Sequence, residues 1–99
     1  MLLHAVYFWL KPGLAAEDYR RFEELSNAMA KIPGVEHCWV GKPAATDRPV
    51  IDRSYTYALV VALKDMAAHD FYQTHPLHDT FREKCSMLWN KVVIYDSID

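Results

Sequence analysis

Ninety-nine residues, 52% of them hydrophobic and 13% aromatic, are enough for one domain with a modest core and do not describe a disordered chain. A formal charge of −2 supplies no basic footprint, which argues against nucleic acid and anionic membrane surfaces as partners. Two cysteines, Cys38 and Cys85, are too few for a disulfide framework and suit small buried thiols in a reducing cytoplasm.

In chain order, Leu2–Leu10 is predicted as a strand, closed by Lys11-Pro12-Gly13. The same run lacks the basic lead and small-residue cleavage site of a signal peptide. No stretch is long enough to cross a bilayer, so a water-soluble cytoplasmic protein is expected. Over residues 15–32 the period changes. Phe22, Leu25, Met29 and Ile32, led by Tyr19, recur at helical steps, with Arg20, Arg21, Glu23, Glu24 and Lys31 on the other side. Glu17 and Asp18 suit the first turn of this helix and Pro33-Gly34 ends it, but no Ser, Thr, Asp or Asn stands at the expected cap.

Residues 35–42 form a second predicted strand, 43–54 a polar loop, and 55–64 a third strand. The loop reads best as an ordinary mobile connection; the alternative has Arg48 or Arg53 closing over a pocket mouth. Asp65 stands at an N-cap position before a short helix, Met66–Thr74. His75 precedes a proline, which disfavours helical geometry, so the helix should break there. Pro76 then starts a new one that runs to about residue 89. Residues 91–96 are the last strand.

The order β-α-β-β-α-β predicts an α+β, ferredoxin-like fold, with a four-stranded antiparallel sheet and both helices on one face. The opposite face should then be polar. Instead, Leu3, Ala5, Tyr7 and Trp9 alternate with His4, Val6, Phe8 and Leu10, and Ala58, Val60 and Ala62 alternate with Tyr57, Leu59, Val61 and Leu63. Strands apolar on both faces are buried on both faces. The few residues after the last strand cannot cover a sheet. A second copy of the same sheet can, which predicts a homodimer through the open face, a dimeric α/β barrel.

The stretch FYQTHPLHDTF carries the chemistry-bearing residues. His78 falls in the first turn of the helix started by Pro76, where backbone N–H groups favour a neutral imidazole, the form a general base requires. A break at His75 would turn Tyr72 toward the same place, and His4 lies on an otherwise apolar parity of the first strand. Structural readings stand beside these: His75 as the cap of the second helical piece, His4 as a satisfied core histidine, Tyr72 as a core aromatic. His75 and His78 share an i, i+3 spacing, but no H-E-x-x-H or paired-cysteine motif accompanies them, and no metal or cofactor is expected.

"HAVYFWLK", "IPGV", "VGK", "Y-x-x-H-P-x-H" followed by Phe, and the final "YD" together resemble the stress-responsive A/B barrel (Dabb) family. The similarity runs in order over residues 1–96. It implies a ferredoxin-like fold that dimerises into a barrel, with no cofactor. It extends distantly to olivetolic acid cyclase, a plant member that closes a linear polyketide by an intramolecular aldol-type condensation. Carried over by position, the resemblance implies His78 as base, Tyr72 as its orienting partner and His4 as a pocket residue. The plant enzyme has a further pocket tyrosine near the position of Leu25, so a pocket walled by Leu25 and Phe22 would be less polar and take a different substrate.

Three functions follow. The first is a dimeric stress-response or binding protein whose pocket, between helices and sheet, takes a small apolar or carbonyl-containing ligand, with His4, His75, Leu25 and Phe22 lining it. The alternative is a cofactor-independent lyase or cyclase using His78 and Tyr72. A third, which nothing in the sequence requires, is a haem-degrading or cofactor-free monooxygenase.

Overall fold

In the computed structural model, which describes residues 1–99, strands β1 (Leu2–Leu10), β2 (Val35–Gly41), β3 (Tyr57–Leu63) and β4 (Trp89–Ile98) form one antiparallel sheet in the order β2-β3-β1-β4. Helices α1 (Ala16–Asn27), α2 (Met66–Thr74) and α3 (Pro76–Cys85) complete the expected ferredoxin-like α+β arrangement, with the second helical segment split in two. The core lies between helices and sheet. Leu2, Val6 and Phe8 of β1 and Leu59, Val61 and Leu63 of β3 meet Phe22, Met29, Tyr72 and Phe81 there, all nearly inaccessible.

Several boundaries differ from the sequence reading, each for a local reason. The first helix stops being α-helical at Asn27. Ser26 Oγ donates to Phe22 O at 2.6 Å and Asn27 Nδ2 to Glu23 O at 2.8 Å, so side chains compete for the carbonyls that the backbone would use. The chain tightens into a 3₁₀ turn, Ala28–Lys31, which still delivers Met29 to the core, with Ile32 following it there. The missing cap at the start of α1 is replaced from inside the helix, where Asp18 Oδ2 accepts from Ala15 N at 3.0 Å.

The third strand begins at Tyr57 rather than residue 55. Thr56 Oγ1 accepts from Leu10 N at 2.9 Å, a side chain standing where a ladder carbonyl would. The last strand begins earlier than residue 91, because α3 ends at Cys85 and a 3₁₀ turn, Ser86–Leu88, leads directly into Trp89. It also runs further, pairing with β1 from Leu10↔Trp89 to Leu2↔Ile98 with one register shift that accommodates Asn90. Only Asp99 lies beyond it, and its carboxylate meets the N-terminal ammonium at 2.8 Å.

Gly34 fixes how β2 enters. Its φ is +94°, and a Cβ there would stand 2.9 Å from the Cβ of Ala68. The turn after Pro33 therefore needs a residue without a side chain, both for its dihedral and for the close passage against α2.

The pairing register aligns the open face in rows. Trp39, Val60, Ala5 and Tyr95 form one row across all four strands, and Gly41, Ala58, Tyr7 and Val93 form the next. No helix covers them: Trp39 is 54% exposed, Tyr95 66% and Leu3 42%.

Candidate functional site

The helix break is built as the residues dictate. Asp65 caps α2 by accepting from Ala68 N at 2.8 Å, and the helix runs until His75 takes an extended conformation ahead of Pro76. His75 Nδ1 then accepts from Leu77 N at 3.1 Å while its carbonyl accepts from His78 N at 3.0 Å. Its ring sits edge-on to Phe71. His75 thus holds the junction, and its side chain does not line the cavity described next.

Because of that bend, two residues that would diverge on a continuous helix converge. The rings of Tyr72 and His78 lie 5.1 Å apart, and Tyr72 lies 5.5 Å from His4. All three border a cavity of about 360 Å³ between α2, α3 and the β1–β4 side of the sheet. Val6, Phe8, Leu59, Phe81 and Trp89 make its apolar walls, while Gln73 and Arg82 add polar groups. Val92 and Ile94, on the edge strand and only partly covered, form its open side. That volume suits a small ligand.

The electrostatics are uneven. His78 Nδ1 is buried without any hydrogen-bond partner. Desolvation, reinforced by the nearby Arg82 and His4 charges and opposed by Asp79, holds this imidazole below the usual histidine range. It is neutral at pH 7. Tyr72 is 1% exposed, and burial pushes its hydroxyl well above the ordinary tyrosine range, so it remains a proton donor. His4 is 2% exposed, with Nδ1 2.6 Å from Asp96 Oδ1. That partner fixes the ring's orientation and leaves Nε2 as its free nitrogen.

Of the other residues singled out from sequence, Phe22 is fully buried in an aromatic cluster with Phe8 (5.0 Å), Tyr57 (4.8 Å) and Phe81 (5.4 Å). It stands behind the cavity wall. Leu25 packs partly buried against the core, and neither residue lines the cavity. The sequence assigns no role to His69, and Asp96 enters it only as part of the final YD. Asp96 continues the inward parity of Val92 and Ile94, so a carboxylate in that series was a detectable anomaly. His69, on α2, lies one turn before Tyr72 and places its ring 5.4 Å from His4.

Comparison with known proteins agrees with this architecture. No curated protein matches the sequence. Among solved structures, a Dabb family protein with a ferredoxin-like fold from Mesorhizobium loti is 25% identical, with a TM-score of 0.77 over 99% of this chain and 95% of that one. The hydroxynitrile lyase of Passiflora edulis is 18% identical, with a TM-score of 0.80 over 99% of this chain and 92% of that one. A dimeric ferredoxin-like protein of unknown function from Thermobifida fusca is 17% identical, with a TM-score of 0.81 over 99% and 90%. The model of the stress responsive A/B barrel domain matches residues 2–99, and the chain belongs to that family, Dabb.

Proposed function

We propose that this is a homodimeric small-molecule-binding protein of the cytoplasm, whose cavity receives a compact, largely apolar ligand carrying a carbonyl group. One observation carries the reading: the rings of His78, Tyr72 and His4 meet on an otherwise apolar cavity of about 360 Å³. The apolar walls take up a ligand's hydrocarbon surface, and the few polar rings among them fix the position of its carbonyl. The apolar open face supports the dimer, as does the dimeric state of the Thermobifida fusca relative. Two unbridged cysteines and the absence of any helix long and apolar enough to cross a membrane accord with the location.

A second reading, cofactor-independent lyase or cyclase chemistry, is favoured by the pairing of a neutral imidazole with a protonated tyrosine across one cavity. His78 takes a proton from a carbon next to a carbonyl. The hydroxyl of Tyr72 donates to the enolate oxygen that develops, the enolate carbon attacks a second carbonyl, and that carbonyl's oxygen takes the proton held by His78. In the lyase direction the imidazole instead takes a hydroxyl proton, and the carbon–carbon bond breaks as that oxygen becomes a carbonyl and the leaving carbanion is protonated. The Passiflora edulis neighbour is a lyase on this same fold.

Both readings are tested with one probe, ethyl 3-oxohexanoate in D₂O, followed by NMR. Binding shifts the resonances of Tyr72, His78, Phe81 and Trp89. Deuterium incorporation at the carbon between the carbonyls, faster than in buffer alone and lost in His78→Gln, supports the lyase reading. Binding without faster exchange leaves the binding reading alone. Resonance shifts confined to residues outside the cavity would sink both.

A further inference from the structure

The geometry points to a divalent-metal site of His4, His69 and Asp96, taking zinc or a neighbouring first-row ion, beside the cavity. One potential ligand atom from each residue lies within 4.8 Å of the others. The three residues sit on β1, α2 and β4, which is why no spacing motif announces them.

The unusual member is His69, held between two carboxylates. Its Nδ1 is 3.3 Å from Asp70 Oδ1 and its Nε2 is 3.7 Å from Asp96 Oδ2. A neutral imidazole has one N–H and one lone pair, so either tautomer turns a lone pair toward an acceptor. The Gln73 side-chain amide lies 3.3 Å from the same Nε2, so that nitrogen is shared between the amide and Asp96. With the ring proton on Nδ1, facing Asp70, the Nε2 lone pair is open to a cation set between it and the Asp96 carboxylate, Gln73 turning aside. Asp96 already engages His4 Nδ1 at 2.6 Å through its other oxygen, so a second imidazole nitrogen borders the same point.

Two imidazoles and a carboxylate are the donor set for zinc, cobalt(II) or nickel(II), whereas calcium and magnesium prefer an all-oxygen shell. Bonds of about 2.0–2.1 Å put tetrahedral ligands roughly 3.3 Å apart, so His69 draws toward Asp96 from 3.7 Å while the 2.6 Å contact between His4 and Asp96 opens. The Asp70–His69 contact supplies the outer carboxylate that orients a metal-bound histidine. When a metal takes the Nδ1 lone pair of His4, the proton from that nitrogen leaves to solvent or reappears on Nε2. Asp96 is 42% exposed at its side chain, so the ion has a path from water. Three protein ligands leave one position for water or a bound ligand.

The rival occupant is a proton, making His69 an imidazolium between Asp70 and Asp96. Calorimetric titration of the chelator-stripped full chain with Zn²⁺ at neutral pH separates the two, alongside Co²⁺ titration read by its visible absorption. A saturable site of one ion per chain is expected, weakened at least ~10-fold in His69→Ala and in Asp96→Asn and unchanged in His37→Gln. Circular dichroism confirms that the variants fold, and His69 is chosen because the more buried His4 is the riskier residue to remove. No saturable binding, or equal binding in His69→Ala, overturns the site, as does a loss in His37→Gln matching that in His69→Ala. The outcome is independent of whether the cavity takes an organic ligand, which the ketoester experiment reports separately.

Discussion

His78 stands in an apolar wall with a polar atom unpaired, and its protonation is disfavoured chiefly because the charged ring would lose water. The consequence for stability has a definite sign. The unfolded chain binds a proton at this residue near pH 6.5, whereas the folded chain resists it until lower pH. Between those values the unfolded state holds more protons, so stability contributed by the neutral ring is present above about pH 6.5 and is lost as pH falls toward the folded value. Thermal melts from pH 7.5 to 5 should therefore show a smaller acid loss in His78→Gln than in the parent; an equal loss would remove His78 as its source. Any base-dependent turnover should already be on its plateau at pH 7, with the acid limb lying below 6.5. His78, Tyr72 and His4 were legible because each breaks a local pattern: a histidine in a first helical turn, a tyrosine before a forced bend, an imidazole on an apolar parity. Asp96 breaks a pattern of the same kind. Its part in the site is hidden because a strand of residues 91–96 puts that carboxylate at a terminus, whereas the strand that runs to Ile98 makes it an inward-facing position.

At the scale of elements, the junction at His75 is what brings helices α2 and α3 into a pincer around the cavity. Removing the cap in His75→Ala should lower stability by about 1 kcal/mol, as N-cap losses generally do, and should weaken ligand binding through Tyr72 and His78 although His75 touches no ligand. Denaturant unfolding gives the first quantity and NMR titration the second; unchanged stability would mean that Pro76 alone sets the bend. Gly34→Ala is expected to cost more, about 1–3 kcal/mol, since a positive φ and a 2.9 Å approach to Ala68 must both be accommodated. A midpoint shift under 0.3 kcal/mol in chemical denaturation would show that the turn relaxes freely. The existence and order of every strand and helix were readable from hydrophobic period and from the prolines, because those signals are local. The ends were not. Thr56 substitutes a hydroxyl for a ladder carbonyl, Ser26 and Asn27 divert carbonyls of α1, and the register shift at Asn90 depends on pairing with a strand some eighty residues earlier. Such hydrogen bonds exist only after the elements have met.

For the whole molecule the open sheet face decides the assembly. Its rows place small residues, Ala5, Ala58, Val60 and Ala62, at the centre, with Trp39 and Tyr95 standing on the two edge strands and Tyr7 and Trp9 between. Part of this surface is covered by the chain itself: Tyr55 packs on Tyr7 at 5.0 Å, Lys91 lies 4.5 Å over the Trp9 ring, and the Trp9 indole donates to Ser54 Oγ at 3.0 Å. The remainder has no cover within residues 1–99. Burial of apolar area is worth roughly 25 cal/mol per Å², so a partner covering a standard ~800 Å² on each side gains enough to overcome the cost of association. Packing two like sheets about a two-fold axis covers both open faces at once, since each presents the same patch to the other. Because Tyr95 is 66% exposed in the single chain, a charge there costs the isolated fold little but would be buried unpaired in the pair. Tyr95→Glu should therefore sediment at the mass of one chain at micromolar concentration while the parent sediments at twice that mass, with both retaining the same far-ultraviolet circular dichroism. A parent that sediments as a single chain would leave its apolar face wet and would defeat the barrel, whereas a Tyr95→Glu variant that remains paired would move the contact to another surface.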